Sequence, residues 1–315
     1  MSGESTFIEA LRAFATHPAA RGLRDDAAVL EIGGEKLVLT HDMIVEGVHY
    51  LPGDPPGDVA WKLVAVNLSD LAAKGARPIG ALLGFALGEA EWDLAFAEGL
   101  KGVLAAFDLP LLGGDTVAMP AGAPRALGLT ALGVAGERVP GRDGARPGDD
   151  LWVSGTIGDA GAGLILLQRG KTDPAALIER YRTPRPRLEA GQRLARVVRA
   201  MMDVSDGLLI DAARMAEASG CAARIELDTL PLSADLIALD GDARAASLTA
   251  ASAGDDYELL FAASTKSAAE ILALAEELGL SLSRIGAFAS GRGLTLSDRG
   301  EPVPLPDRLG FEHRS

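Results

Sequence analysis

The aspartates of this chain recur in short motifs that pair them with Gly, Ser or Thr. Asp25 and Asp26 stand in GLRDDAAVL, Asp42 in LVLTHD, Asp70 in NLSDLAAKGA, Asp115 in LLGGDT, and Asp203 and Asp206 in DVSDG. Any one aspartate reads most simply as a cap or turn residue. As a set they imply more. Carboxylates gathered in one pocket repel one another strongly unless cations lie between them. Hard divalent cations with oxygen ligands meet that need, and Mg²⁺ is commonly held by a few carboxylates together with phosphate oxygens. The expected chemistry is metal-bridged phosphate binding.

The usual nucleotide motifs are missing. The chain has no GxxxxGK[ST] loop and no HRD or DFG set. The stretch Gly155 to Gly163, GTIGDAGAG, reads in two ways: a backbone cradle for a phosphate, or a close helix–strand contact. Four histidines (His17, His41, His49 and His313) lie far apart, and no Cys/His zinc spacing is present.

The elements that must carry these residues follow from patterning. Leu37 to Leu39 reads as a buried strand ending at Thr40-His41-Asp42. Asp58 is the expected N-cap of a helix from about Val59 to Lys74, closed by Gly75 and Pro78. That helix puts Asn67, Asp70 and Lys74 on one face. Leu127 to Val134 reads as a strand. The turn-rich GRDGARPGDD, from Gly141 to Asp150, marks a boundary between residues 1–148 and 149–315. Beyond it come strands at Leu151 to Val153, Arg224 to Leu227 and Tyr257 to Phe261. A helix from the DVSDG turn to Ser219 and a break at TPRPR complete the pattern. Strands and helices mix without strict alternation, so the expected class is α+β or α/β: sheets under a helical layer, in two domains.

Bulk composition narrows the partners. Formal net charge is -14, which argues against nucleic acid, whose binding rests on clustered Lys and Arg. Hydrophobic residues make up 48%, yet no run of about 18 apolar residues occurs, so a membrane span is not expected. The segment from Met1 to Thr16 is amphipathic and lacks an apolar signal core, and Cys221 is the single cysteine; both favour a cytoplasmic location.

Eight blocks, in order, resemble the thiamine-monophosphate kinase family, within the aminoimidazole ribonucleotide (AIR) synthetase-like superfamily. They are GLRDDAAVL, THDMIVEGVHY, WKLVAVNLSDLAAKGARP, LLGGDT, GRDGARPGDDLWVSGTIGDAGAGL, PRPRLEAGQ, MMDVSDGLLIDAARMAEASG and AGDDYELLF. VNLSDLAAKGA, GGDT and DVSDGL together carry the specificity. The resemblance implies a two-domain synthetase-like fold whose N-terminal sheet domain forms a homodimer. It implies transfer of the γ-phosphate of ATP to thiamine monophosphate, giving thiamine diphosphate, with several Mg²⁺ ions. On that footing Asp26, Thr40, Asp42, Asp70, Asp115, Asp203 and Asp206 are metal ligands, with Asp115 and Asp206 catalytic. Gly114, Asp115, Arg142 and Ser205 contact ATP, and His49, Asp255 and Phe311 contact the acceptor. The family usually carries Glu where this chain has Asp255. A monoester acceptor has a second pKa of about 6, so no general base is expected. Arg142 would offset phosphate charge.

The alternatives are another ATP-dependent enzyme of the superfamily or a non-catalytic nucleotide-binding regulator. A selenophosphate synthetase is expected to show a reactive Cys near its N-terminus. A hydrogenase-maturation dehydratase is expected to end in Cys, whereas these residues end Glu312-His313-Arg314-Ser315. A regulator is expected to have lost some of the aspartates.

Overall fold

A computed structural model describes residues 3–120 and 122–312; His313, Arg314 and Ser315 lie outside the described residues. The first half contains α1 (Gly3–Arg12), β1 (Ala28–Ile32), β2 (Glu35–Val45), α2 (Pro56–Ala73), β3 (Ala76–Leu87), α3 (Ala90–Ala106), β4 (Leu111–Ala118) and β5 (Ala126–Ala135). The second half contains β6 (Asp149–Ser154), α4 (Asp159–Gln168), α5 (Ala175–Arg182), α6 (Leu188–Leu194), β7 (Ala200–Val204), α7 (Leu208–Ala218) and β8 (Ala222–Glu226). It continues with α8 (Ala234–Asp240), α9 (Ala243–Ser252), β9 (Glu258–Ser264), α10 (Ala268–Leu278), β10 (Leu282–Ala289), β11 (Gly293–Asp298) and β12 (Glu301–Val303).

Two sheets result, with strand orders β1-β2-β5-β3-β4 and β12-β11-β8-β10-β6-β9-β7. The first sheet packs one face against α2 and α3, where Leu63, Val64, Phe96 and Leu100 meet Val38, Phe85, Leu127 and Leu129. Its other face is open: Met43 and Leu82 are exposed. The second sheet is covered on both faces. Along β9, Leu260 and Ala262 face one core, while Leu259, Phe261 and Ala263 face another built with α6 and α10. The two-domain α+β expectation therefore holds, with the single helical layer confined to the first half.

Helix α2 joins the halves. Fourteen of its 18 residues are buried, so it is apolar nearly all round, as a helix between two packed layers must be. It starts at Pro56, with Pro55 at the N-cap, three residues before the expected Asp58 cap. Proline needs no N–H in a first turn, so this start leaves no donor stranded, and Asp58 instead meets the positive end of the helix dipole. Gly75 ends the helix at φ 63°, and a Cβ there would lie 2.4 Å from the Ala195 Cβ. Only glycine permits both that conformation and the close approach of the segment after α6.

Candidate active site

Strand β2 carries Thr40 and Asp42 toward α2. Asp42 lies inside the strand, not at its end, because β2 runs on to Val45. The side chain of Asn67 on α2 accepts the backbone N–H of Asp42 at 2.9 Å, locking strand to helix. One turn on, Asp70 accepts a hydrogen bond from the Thr40 hydroxyl. Ser69 donates to Asp203 Oδ2 on β7 at 2.7 Å. Three segments distant in sequence thus converge, and carboxylate oxygens of Asp26, Asp70 and Asp203 lie within 4.8 Å of one another.

The electrostatics match a pocket that lacks charge compensation. Burial, then repulsion from Asp42, Asp203 and Asp26, pushes the Asp70 carboxyl well above its ordinary range. Burial, then repulsion from Asp26, does the same to Asp203. Asp42 is pushed up to about 6 by burial and by Asp26 and Asp206. Asp26 goes the other way: burial pushes it up, but Lys74 and Arg142 outweigh that and hold it well below the carboxylate range. Lys74 is fully buried and pairs with both Asp25 and Asp26. Asp26 Oδ2 sits 2.7 Å from the Lys74 ammonium, and Arg142 pairs with Oδ1, so both oxygens of this carboxylate face cations. Three converging carboxylates form a donor set suited to a hard divalent cation.

The DVSDG turn closes the pocket. Asp211, which sequence reading missed, is fully buried and accepts the N–H groups of Ser205, Asp206 and Gly207 at 3.1–3.2 Å, shaping the turn. Its position in the first turn of α7 after a Ser-Asp-Gly was the available signal. Asp206 pairs with Arg214, and its carbonyl accepts the Phe311 N–H at 2.9 Å, so the C-terminal segment is tied to the site. Arg142 reaches the pocket through Asp26. Nearer the start of α2, His49 accepts the Val45 N–H through Nδ1 at 3.0 Å, which leaves its proton on Nε2. Asp255 pairs with Lys62 at 2.8 Å.

Two predicted positions are not brought in. Gly114 and Asp115 lie on the edge strand β4, all of whose residues are exposed. Asp42 pairs with Leu129, Leu129 with Leu83 and Leu83 with Gly114. Asp115 is therefore three strand spacings, roughly 14 Å, from β2. Its register partner Gly84 pairs in turn with Gly128, opposite Met43, which puts Asp115 on the open face and Asp42 on the helix face. The glycine-rich stretch after β6 resolves to packing. Gly155 N–H donates to Ser281, Ile157 to Pro231 and Gly158 to Asp256, while a Cβ on Gly163 would meet the Leu177 carbonyl at 2.1 Å.

Comparison with known proteins identifies the family and fold. Residues 24–135 match the model for the AIR synthase related protein N-terminal domain, and residues 146–299 match its C-terminal domain. The thiamine-monophosphate kinase of Caulobacter vibrioides is 43% identical over 310 residues, covering 94% of this chain and 86% of that relative. The crystal structure of thiamine-monophosphate kinase from Stenotrophomonas maltophilia K279a is 40% identical, with TM-score 0.79 over 95% of this chain and 96% of that one. A complex of AaThiL with AMPPCP and TMP is 32% identical, with TM-score 0.83 over 98% of this chain and 97% of that one. On full-length identity and shared fold together, the chain belongs to the thiamine-monophosphate kinase family of AIR synthase related proteins.

Proposed function

We propose that this enzyme transfers the γ-phosphoryl group of ATP directly to the phosphate of thiamine monophosphate. The observation that carries the reading is the convergence of Asp26, Asp70 and Asp203, whose carboxylate oxygens lie within 4.8 Å of one another. Asp26, Thr40, Asp42, Asp70, Asp203 and Asp206 are the residues to hold Mg²⁺. Bound there, Mg²⁺ supplies charge neutralisation for the phosphates. An acceptor phosphate oxygen attacks the γ-phosphorus; a new P–O bond forms as the bond to the β,γ-bridging oxygen breaks, and ADP leaves with that electron pair. The acceptor is largely dianionic at neutral pH, so no side chain has to remove a proton. Arg142, with Asp26 as its partner, is placed to trade that pairing for nucleotide phosphate oxygens. Ser205 lies in the adjoining turn as a further ATP contact. His49, Asp255 and Phe311 are the acceptor-side contacts.

Within this reading the enzyme works as a homodimer. Asp115 lies on the opposite face of the sheet from Asp42, and Gly114 three strands away from it, so both serve the site of the other copy. The open sheet edge, with Leu111, Leu112 and Val117 exposed along β4, supports pairing there. Division at residue 148 and a cytoplasmic location belong to the same reading; no helix among the described residues is long and apolar enough to cross a membrane. The test is an ADP-release assay with ATP, Mg²⁺ and thiamine monophosphate, with thiamine diphosphate measured as product. Absence of both products from the folded protein would sink the proposal.

A further inference from the structure

Lys62 has no role in the metal or nucleotide site described above, yet it is 2% exposed in α2. Its ammonium donates to the His49 carbonyl at 2.9 Å and to Asp255 Oδ2 at 2.8 Å, and lies 3.9 Å from the centroid of the Tyr181 ring. Two oxygens and a ring face satisfy it, drawn from three segments: the loop after β2, the chain before β9, and α5. Lys62 precedes Asp70 by eight residues, roughly 12 Å along the helix axis. It therefore stands at the end of the cleft away from the carboxylate cluster.

The segment it grips is strained. Asp255 has φ 69° and Tyr257 φ 51°, left-handed conformations that a bulky aromatic residue rarely adopts. The neighbourhood holds them in place. Asp255 N–H donates to Ser205 and Tyr257 N–H to Val204, each at 2.8 Å; both oxygens of Asp256 accept the Gly158 N–H; and the Tyr257 hydroxyl donates to Asp255 Oδ1 at 3.2 Å. Lys62 and Tyr257 thus take one lone pair from each oxygen of Asp255. One lone pair per oxygen remains, on a side chain that keeps 24% of its surface open.

We infer that Lys62 is a positioning residue for the acceptor substrate. Across the cleft it holds the Asp255 carboxylate so that its remaining lone pairs face an amino-group donor on the organic end of that substrate. The inference rests on the acceptor-side role proposed above for Asp255. With an ammonium already at its side, Asp255 recognises this donor as a compensated hydrogen-bond acceptor. Such a site discriminates against ligands that lack the N–H.

The test is steady-state kinetics of wild type, Lys62→Met, Asp255→Asn and the double variant, each beside a melting curve. Lys62→Met is expected to raise KM for thiamine monophosphate by roughly tenfold, with kcat within about threefold and KM for ATP within about twofold. Adding Asp255→Asn to Lys62→Met should then raise KM much less than it does alone, because the two act through one contact. If Lys62→Met does not fold, Lys62→Gln, which keeps a donor and loses the charge, carries the same comparison. A lowered melting temperature with KM for the acceptor unchanged, or effects of the two substitutions that simply multiply, overturns the inference while leaving the kinase reading intact. A wild-type chain that forms no ADP overturns the kinase reading, and this inference with it.

Discussion

The Ser69 hydroxyl donates to Asp203 Oδ2 at 2.7 Å, and both residues are buried. The bond crosses from the helix of the first half to a strand of the second, and the neighbouring Asp70 is held by Thr40 from the opposite direction. Consecutive positions of one helix thus tie a strand from each sheet into the carboxylate cluster. The cluster depends on the packing of α2 against both.

Removing one negative charge from this cluster should stabilise the metal-free enzyme. Asp70→Asn keeps the shape and relieves the repulsion among Asp26, Asp42, Asp70 and Asp203. Its metal-free melting temperature should rise by roughly 2–4 °C. In wild type, Mg²⁺ with a non-hydrolysable ATP analogue should raise the melting temperature more than the two separate shifts combined, because cation and phosphate strengthen each other's binding at a shared site. Asp70→Asn should lose that synergy. A thermal-shift titration of both proteins checks these outcomes together.

Activity should fall by orders of magnitude in Asp206→Asn and in Asp115→Asn, with the fold retained. Near-normal turnover in either would remove that residue from the metal set.

Subunit mixing decides how Asp115 acts. Asp42→Asn and Asp115→Asn should each be nearly inactive alone. Mixed and re-equilibrated in equal amounts, half the dimers pair one of each variant, and each such dimer contains one site with both native aspartates. About a quarter of wild-type activity should return. No recovery in an assay where exchange is verified would place Asp115 in the site of its own chain, against the register of the sheet.

Glu258 is fully buried and takes Arg180, Arg187 and the Ser154 hydroxyl on its two oxygens. Glu258→Ala strands two partly buried guanidinium groups. The expected loss is about 3–5 kcal/mol of stability, as when one partner is removed from a buried ion pair. Denaturant unfolding measures it, and a loss below about 1 kcal/mol would mean that water reaches both arginines.

Asp255→Ala should raise KM for thiamine monophosphate by about tenfold or more, with little change in kcat, since Asp255 is proposed to meet the part of the acceptor that does not react. The melting temperature should fall as well, because Lys62 is left buried without its anion. An unchanged KM with lowered stability would reduce Asp255 to a turn residue.

The aspartate motifs, the helix bearing Asn67, Asp70 and Lys74 on one face, and the strands at Leu127 and Leu151 were all legible in the sequence, because helix and strand periods and turn residues are local properties. The family could be read from the order of the motifs. Other features lay beyond that reach. Lys62 stands in the sequence as one cation in an apolar run, and Glu258 as one acid before a strand; both become buried ion-pair centres only when α2, α5 and β9 pack together. The glycine-rich loop after β6 satisfies either a phosphate or a neighbouring helix on composition alone, and only the partners of its N–H groups settle the choice. Asp115 carries the same chemistry as Asp42, but the strand order β2-β5-β3-β4 puts it three strands away on the other face. Local sequence determined which side chains could hold a cation. Long-range pairing and packing, whose energies come from residues far apart in the chain, decided which of them meet.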